Sequence, residues 1–382
     1  MMSTSSLIKQ RWRHIESEIF EDLPSIFFNE EGLPPSSMPV ITHAERYALW
    51  THQSSGARNV NVFGMLAPAT AAKKSEDAPP LFGYVTDRKQ VRLTAAVFDG
   101  MGGAGSSLVT NNLKIPVTQA YLASRLCRKN LEKLMWKNTK SPLDVKATDL
   151  AHVLESSFLK VEQEIDSQSE SRIRGMTDQV LPTTIALVMC ESSLQNKWHV
   201  KAQWAGDSRA YLLTPNLGLQ QITIDDVIED DPMEQLKSDH KLTNFVSANA
   251  PFVIHEKELQ IDSQALLIVA TDGLFHYLPT PGTLEYIFLD ALRSSEDKTA
   301  RSFASLARLI SRDDVSFVVI ALGFGCFGDI TLAFRERKRQ LASYGYDDLL
   351  LMSPSDELMT TAAENLWQLE KTDYLGLISN YG

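Results

Sequence analysis

Aspartates stand at the ends of three apolar, β-rich runs, and this recurrence limits the folds available to the chain. VRLTAAVFDG carries Asp99 at its end, ALLIVATDG carries Asp272, and SRDDVSFVVI places Asp313 just before its run. Runs rich in β-branched, aromatic and other apolar residues predict strands. We therefore expect a β-sheet domain with carboxylates at its strand ends.

The order of the other elements favours an α+β fold. TTIALVMCE, WHVKAQWAGD and RAYLLTP follow one another as further predicted strands, and residues 116–136 and 148–165 have apolar positions at helical spacing. Strands in runs, with helices in pairs between them, favour a layered α+β architecture over a sheet that alternates strictly with helices.

Composition changes divide the chain into three predicted parts. Residues 1–45 predict a short amphipathic helix and a connector, GLPPSSMPV; residues 46–324 form the main domain; and residues 325–382 turn helical and charged. The stretch from 66 to 80, LAPATAAKKSEDAPP, has neither a helical nor a strand period, which predicts an exposed loop.

Charge and hydropathy exclude several classes of protein. The formal net charge of −11 argues against a nucleic-acid binder, because such binding depends on clustered Lys and Arg. We find no apolar run of the roughly 20 residues that a membrane span requires, and charged residues interrupt the N-terminal segment as no signal peptide would tolerate. We therefore expect a soluble, cytoplasmic protein.

The three aspartates suit a hard divalent cation. Mg²⁺ and Mn²⁺ prefer oxygen ligands in a fixed geometry. Glycine after an aspartate allows a sharp turn and lets a backbone carbonyl approach a metal, which makes Gly100 a candidate ligand. A single Asp-Gly pair is most often only a turn, so the chemistry depends on all three aspartates acting together.

The strings DGMGG, AGDSR, TDG and RDDVS occur here in the order found in the metal-dependent serine/threonine phosphatases, also called type 2C protein phosphatases. Residues 50–324 resemble this family, and Met101, in place of a histidine, resembles its bacterial branch. The resemblance implies a four-layer α-β-β-α sandwich of two antiparallel sheets flanked by helix pairs, to which this chain adds N- and C-terminal helices.

The resemblance to this family also implies a metal centre with two Mn²⁺ or Mg²⁺ ions. Asp99 would bridge both ions, Gly100 would offer its carbonyl, and Asp272 and Asp313 would complete the ligand set. These three aspartates are the predicted catalytic residues. A metal-bridging water would attack a phosphoserine or phosphothreonine of a protein substrate.

Two parts of the family pattern are altered. The family's Arg, followed three residues later by Asn-Glu-Asp or Asn-Gln-Asp, is matched to RNVNVF: Arg58 is the predicted phosphate ligand and Asn61 an accessory residue, while Val62 and Phe63 replace the acidic pair. His276 stands where the family has an acid associated with a third metal, so no third ion is expected.

Three further residues have predicted roles near the site. Asp178 is a candidate to compensate for that lost acid, and His240 is a candidate for substrate access or leaving-group protonation. Asp207, in AGDSR, is expected to hold neighbouring strands in register and not to bind a metal directly.

Two functions follow from these motifs. The first is an active phosphoprotein phosphatase that acts in signalling, with a cognate protein kinase as a candidate partner and without nucleic-acid or membrane binding. The second is a pseudophosphatase that binds phosphoproteins, favoured by the replacement of the acidic pair. A different dinuclear hydrolase would require histidines near the aspartates, and only His276 is close to one in sequence.

Overall fold

The computed structural model describes residues 40–41, 48–52, 60–69, 75–86, 91–110, 116–137, 142–166, 180–193, 197–238, 240–262, 264–292, 296–308, 311, 313–352 and 357–378. The strands of this part are β1 (Val40–Ile41), β2 (Ala48–His52), β3 (Val60–Ala67), β4 (Ala78–Thr86), β5 (Val91–Phe98), β6 (Leu108–Thr110), β7 (Pro116–Thr118), β8 (Ile185–Ser192), β9 (Trp198–Ala205), β10 (Arg209–Thr214), β11 (Gly218–Gln221), β12 (His255–Ile261), β13 (Ala265–Ala270) and β14 (Val315–Leu322). Its α-helices are α1 (Gln119–Lys137), α2 (Ala147–Asp166), α3 (Pro232–Gln235), α4 (Pro281–Ala291), α5 (Glu296–Arg308), α6 (Phe327–Ala333), α7 (Arg335–Tyr344), α8 (Tyr346–Leu351) and α9 (Glu357–Tyr374).

Two antiparallel sheets form the centre of the fold. One has the strand order β1-β2-β3-β14-β13-β10-β11, and the other has the order β12-β9-β8-β5-β4. A separate hairpin joins β6 and β7.

Three apolar clusters define four layers. Val62, Val97 and Val318 belong to the cluster between the sheets. The outer face of the five-stranded sheet packs against α1 and α2, and the outer face of the seven-stranded sheet packs against α4 and α5. The predicted α+β sandwich of two antiparallel sheets flanked by helix pairs is therefore confirmed.

The central strands explain the continuous apolar runs in the sequence. Every residue of β5 and of β14 is buried, because each strand is covered by the other sheet on one face and by helices on the other. A strand buried on both faces has no polar face and therefore shows no alternation.

The expectation of an exposed loop over residues 66–80 is wrong for the described part of that stretch. Leu66 and Ala67 complete β3, β4 begins at Ala78, and the side chains of Ser75 and Asp77 are buried. Their burial comes from contacts with residues distant in the chain, which local periodicity does not report.

The C-terminal helices pack onto the seven-stranded sheet and its outer layer. Helix α9 contacts α4 and β11, and the Tyr374 hydroxyl donates a hydrogen bond to Gln221 Oε1 at 2.5 Å. At the other end of the chain, β1 pairs with β2, although it precedes the boundary predicted at residue 45. The predicted N-terminal helix lies outside the described residues. Among the described helices, none combines the length and hydropathy needed to cross a membrane.

Candidate metal centre

The strand order brings the three predicted aspartates to one edge of the sandwich. Strands β13 and β14 are antiparallel neighbours, so the end of β13 lies beside the start of β14. The Thr271 amide donates to the Ser316 carbonyl at 2.9 Å across this edge. Asp272 and Asp313 therefore follow and precede adjacent strands, and Asp99 follows β5 of the facing sheet.

The backbone at Asp99 is fixed by residues that precede β8. Its carbonyl accepts hydrogen bonds from the Thr184 amide at 2.9 Å and from Thr183 Oγ1 at 2.5 Å. Gly100 follows at a place without room for a side chain: an added Cβ would lie 2.4 Å from the Glu76 carbonyl oxygen and 2.7 Å from that of Ala120. Only glycine fits this close backbone approach.

Asp77 is a fourth acidic residue of the centre and is absent from the sequence-based prediction. Its side chain is 3% exposed, accepts a hydrogen bond from Thr271 Oγ1 at 3.0 Å and lies beside the Asp99 side chain. Burial, followed by the negative charge of Asp314, raises the pKa of Asp77 well above its ordinary value. Burial, followed by the charges of Asp272 and Asp77, does the same to the pKa of Asp99.

Asp314 holds the segment that carries Asp77. Its carboxylate accepts hydrogen bonds from the Ala69 amide at 2.6 Å, from Ser75 Oγ at 2.7 Å and from the Glu76 amide at 2.9 Å. Asp313, next to it, is exposed, and its charge acts on both Asp77 and Asp99. The two adjacent aspartates thus have different surroundings. Asp314 anchors the segment before β4, whereas Asp313 faces the acidic centre.

Asp272 begins a short 3₁₀ turn after β13. An added Cβ on Gly273 would lie 1.9 Å from the Asp314 carbonyl oxygen, so the Asp-Gly pair permits close approach of the two backbones. The side chain of Asp272 also contacts His276, whose Nδ1 lies 3.2 Å from Asp272 Oδ2. His276 is therefore adjacent to a predicted metal ligand.

Asp207 faces the same region from the turn before β10. Its side chain is buried, and Oδ1 has no hydrogen-bond partner among the described residues. Burial and the charge of Asp272 raise its pKa to about 8, although His276 opposes this shift. One ligand atom from each of Asp207, Asp272 and His276 lies within 4.8 Å of the others.

Residues 60–63, the described part of the segment RNVNVF, lie in β3 and away from the sheet edge that carries the aspartates. Asn61 is buried within β3 opposite Thr51 and Ala321, Val62 packs between the sheets, and Phe63 lies in the outer core. The interpretation of Val62 and Phe63 as replacements for the acidic pair is therefore wrong, because both are core residues. Arg58 lies outside the described residues.

The family signature does have a counterpart that the sequence could have revealed. Ser75-Glu76-Asp77 matches Asn-Glu-Asp in two of three residues and ends on the carboxylate beside Asp99. At the family spacing, Ala72 stands in place of the arginine. The acidic part of the signature is thus present, and its arginine is not.

The remaining candidates are outside the acidic centre or outside the described residues. The ring of His240 lies with Nε2 3.0 Å from the Glu234 carbonyl oxygen, next to α3. Asp178 lies outside the described residues. The prediction that Asp207 holds neighbouring strands in register, and binds no metal directly, stays a prediction; its Oδ1 has no hydrogen-bond partner among the described residues.

The donor set fits divalent cations. Carboxylates crowded enough to raise one another's pKa repel when ionised, and bound cations would relieve this repulsion. Gly100 directly follows Asp99, and its backbone lies against the carbonyl of Glu76, the residue before Asp77. Oxygen donors of this type suit Mg²⁺ and Mn²⁺.

No family model and no curated protein matches the chain. Among solved structures, PppA, described as a key regulatory component of T6SS in Pseudomonas aeruginosa, is 19% identical with a TM-score of 0.45, over 69% of this chain and 97% of PppA. A bacterial serine phosphatase is 16% identical with a TM-score of 0.49, over 70% of this chain and 98% of its own.

The catalytic domain of the serine/threonine phosphatase PstP, solved with two manganese ions, is 15% identical with a TM-score of 0.43, over 70% of this chain and 99% of that domain. These identities and TM-scores are low, so the candidate function depends on the site residues. By its motifs and its two-sheet architecture, the chain resembles the bacterial metal-dependent serine/threonine phosphatases.

Proposed function

We propose that the chain is a phosphoprotein phosphatase that hydrolyses phosphoserine or phosphothreonine with two Mn²⁺ or Mg²⁺ ions. The observation that carries this proposal is the pair of carboxylates of Asp77 and Asp99, which lie beside each other and are surrounded by the charges of Asp272 and Asp313. Four acidic side chains at one edge are hard to explain as a structural feature, since they repel one another in the absence of cations.

The ligands of the two ions would be the carboxylates of Asp77, Asp99, Asp272 and Asp313 and the carbonyl of Gly100. When bound, the ions supply an activated water nucleophile and offset negative charge on the phosphoryl oxygens.

The other residues of the edge position these ligands. Thr271 orients Asp77 through its hydroxyl, and Asp314 fixes the segment from Ser75 to Asp77 through three hydrogen bonds. His276 contacts Asp272. Such outer contacts orient metal ligands and keep them in place.

A pseudophosphatase is the second candidate, and one observation favours it. With Ser75-Glu76-Asp77 as the acidic signature, Ala72 takes the place of the arginine that contacts phosphate in the family. Phosphate binding would then depend on another cation or on the metals alone. Arg58, the phosphate ligand predicted from the sequence, lies before β3 and stays a candidate.

The cellular setting follows the same proposal. The substrate would be a phosphoprotein, with a cognate kinase that supplies it, in the cytoplasm of a bacterium. Nucleic acid and membrane surfaces are not proposed partners, because the chain has a formal net charge of −11 and no long basic stripe.

Phosphate release from a phosphothreonine peptide tests the proposal. We expect release by the purified full chain with Mn²⁺ or Mg²⁺, none with a chelator, and loss in Asp99→Asn and Asp272→Asn. Asp262→Asn is the matched control, because Asp262 is exposed and forms an ion pair with the surface residue Lys197. Metal-loaded, folded protein that binds the peptide without releasing phosphate would support the pseudophosphatase.

A further inference from the structure

Tyr277 has a strained backbone conformation beside the proposed metal centre. Among the described residues other than glycine, only Leu181 and Tyr277 have a φ in the left-handed region, at 55° and 64°. Bulky residues are uncommon there, and such strained positions cluster at functional sites. Leu181 is fully buried in an apolar cluster, which compensates for its strain. Tyr277 is 44% exposed, so burial does not explain its conformation.

The turn that carries Tyr277 also carries a proposed metal ligand. Asp272 begins this turn, and His276 Nδ1 lies 3.2 Å from Asp272 Oδ2. The ring of Tyr277 is the next one outward: its centroid lies 6.1 Å from that of His276, and the two ring planes meet at 77°. His276 is buried, whereas Tyr277 is exposed. Tyr277 therefore lies at the rim of the metal centre, one side chain away from Asp272.

A loop over residues 226–242 fixes the backbone of Tyr277. The Tyr277 amide donates a hydrogen bond at 2.7 Å to the carbonyl of Leu236, the residue after α3. The start of this loop is attached to the turn before β10, because the Gly206 amide donates to Asp226 Oδ2 at 2.8 Å. The position of the Tyr277 ring is thus set by backbone contacts, while the ring itself remains partly exposed.

We propose that the ring of Tyr277 contacts the polypeptide next to the phosphorylated residue and thereby selects phosphoproteins over small phosphate esters. The inference rests on the proposed function, because the metal centre would hold the phosphoryl group while Tyr277 contacts the residues beside it. An aromatic ring supplies a large contact area at low cost in conformational entropy. A side chain fixed in advance loses less freedom on binding.

Two substrates with the same phosphate ester test the proposal, namely a phosphothreonine peptide and free phosphothreonine. Only the peptide has flanking residues that can reach the ring. We would measure kcat/KM for both with the full chain and Mn²⁺. In Tyr277→Ala the ratio of peptide to free phosphothreonine should fall about tenfold, mainly through a higher KM for the peptide. Tyr277→Phe keeps the ring and should keep the ratio within about twofold.

Two further variants separate loss of the ring from loss of structure. Glycine adopts a φ of 64° without strain, so the denaturation midpoint of Tyr277→Gly should be no lower than that of the unaltered chain. Its ratio should nevertheless fall as in Tyr277→Ala. Tyr344→Ala is the matched control, because Tyr344 is an exposed tyrosine at the end of α7. It should leave the ratio unchanged.

An unchanged ratio in Tyr277→Ala, with both substrates hydrolysed, would overturn this proposal and leave the proposed function standing. If either substrate is not hydrolysed, fluorescence anisotropy of a labelled phosphothreonine peptide on the Mn²⁺-loaded chain decides the question. Binding about tenfold weaker in Tyr277→Ala than in the unaltered chain would support the contact even without hydrolysis. Equal binding in the two proteins, or no binding by the unaltered chain, would overturn it.

Discussion

Thr271 Oγ1 donates a hydrogen bond to Asp77 Oδ2 at 3.0 Å, and this contact joins the end of β13 to the segment that enters β4. The same hydroxyl accepts a hydrogen bond from the Ser316 amide at 3.1 Å. A single buried side chain thus links three segments of the proposed metal centre, with Asp77 as the ligand that it orients.

Substitution Thr271→Val should therefore affect both stability and metal binding. Loss of the hydroxyl leaves the Ser316 amide and one oxygen of Asp77 without this partner, so we expect the free energy of unfolding to fall by about 1–3 kcal/mol. Loss of a contact that orients a ligand should weaken Mn²⁺ binding about 10-fold or more. Chemical denaturation and titration calorimetry measure the two effects.

Ser192→Ala is the matched control for Thr271→Val. Ser192 is also fully buried, and its hydroxyl accepts a hydrogen bond from the Val91 amide, but at the opposite end of β5 and β8. It should lower stability without changing Mn²⁺ affinity. Equal Mn²⁺ affinity in Thr271→Val and the unaltered chain would show that Asp77 does not need this contact.

Substitution by alanine should have different effects at the neighbours Asp313 and Asp314: it should mainly lower Mn²⁺ affinity at Asp313 and mainly lower stability at Asp314. Asp314→Ala removes three hydrogen bonds, from Ala69, Ser75 and Glu76, so we expect a loss of about 2–3 kcal/mol of stability. Asp313→Ala alters an exposed side chain and should change stability by no more than about 0.5 kcal/mol, yet it should weaken Mn²⁺ binding. Denaturation curves and Mn²⁺ titrations of both variants distinguish a loop anchor from a ligand; a reversed pattern would contradict the assignment.

Two glycines of the DGMGG turn provide another matched pair. In Gly100→Ala the new methyl group would meet backbone oxygens at 2.4 and 2.7 Å, so the backbone must shift. We expect a loss of about 1–3 kcal/mol together with weaker Mn²⁺ binding. In Gly103→Ala the new methyl group has no neighbour within 4 Å among the described atoms, so stability and Mn²⁺ affinity should both be preserved. Comparable losses in both variants would show that packing at Gly100 is not the cause.

Glu370 should make stability depend on pH, far from the metal centre. Burial, partly offset by the hydrogen bond from Tyr346, raises its pKa from 4.5 to about 7. Because the folded-state pKa is the higher one, the protonated residue favours the folded state, and this contribution is lost as the pH rises from 4.5 through about 7. Glu370→Gln should remove that decline.

Thermal unfolding of the metal-free protein across this pH range measures the effect. Glu364→Gln is the control, because Glu364 is an exposed residue of the same helix. It should leave the pH dependence unchanged. An unaltered pH dependence in Glu370→Gln would locate the responsible group elsewhere.

Much of the fold could be predicted because it depends on local patterns. β5, β13 and β14 are continuous apolar runs, and each borders an aspartate of the predicted centre. The helices α1 and α2 have clear helical periodicity. These patterns come from residues close together in the sequence, so they can be recognised without knowledge of the tertiary contacts.

Periodicity could not identify Asp77, because it owes its place to contacts across the chain; only the match of Ser75-Glu76-Asp77 to the family signature could have identified it. Asp314 binds residues 238 to 245 positions away, and these contacts fix a segment with no period of its own. The spacing of Arg58 and Asn61 instead suggested RNVNVF. Its two valines and its phenylalanine are buried because the seven-stranded sheet is covered on both faces.

Anomalous X-ray scattering from crystals of the full chain grown with Mn²⁺ would test the central claim most directly. We expect two manganese peaks within bonding distance of the carboxylates of Asp77, Asp99, Asp272 and Asp313 and of the Gly100 carbonyl, with Asp99 contacting both ions. Manganese bound elsewhere, or a fully ordered acidic edge without manganese at saturating concentration, would contradict the claim that these residues form a dinuclear metal centre.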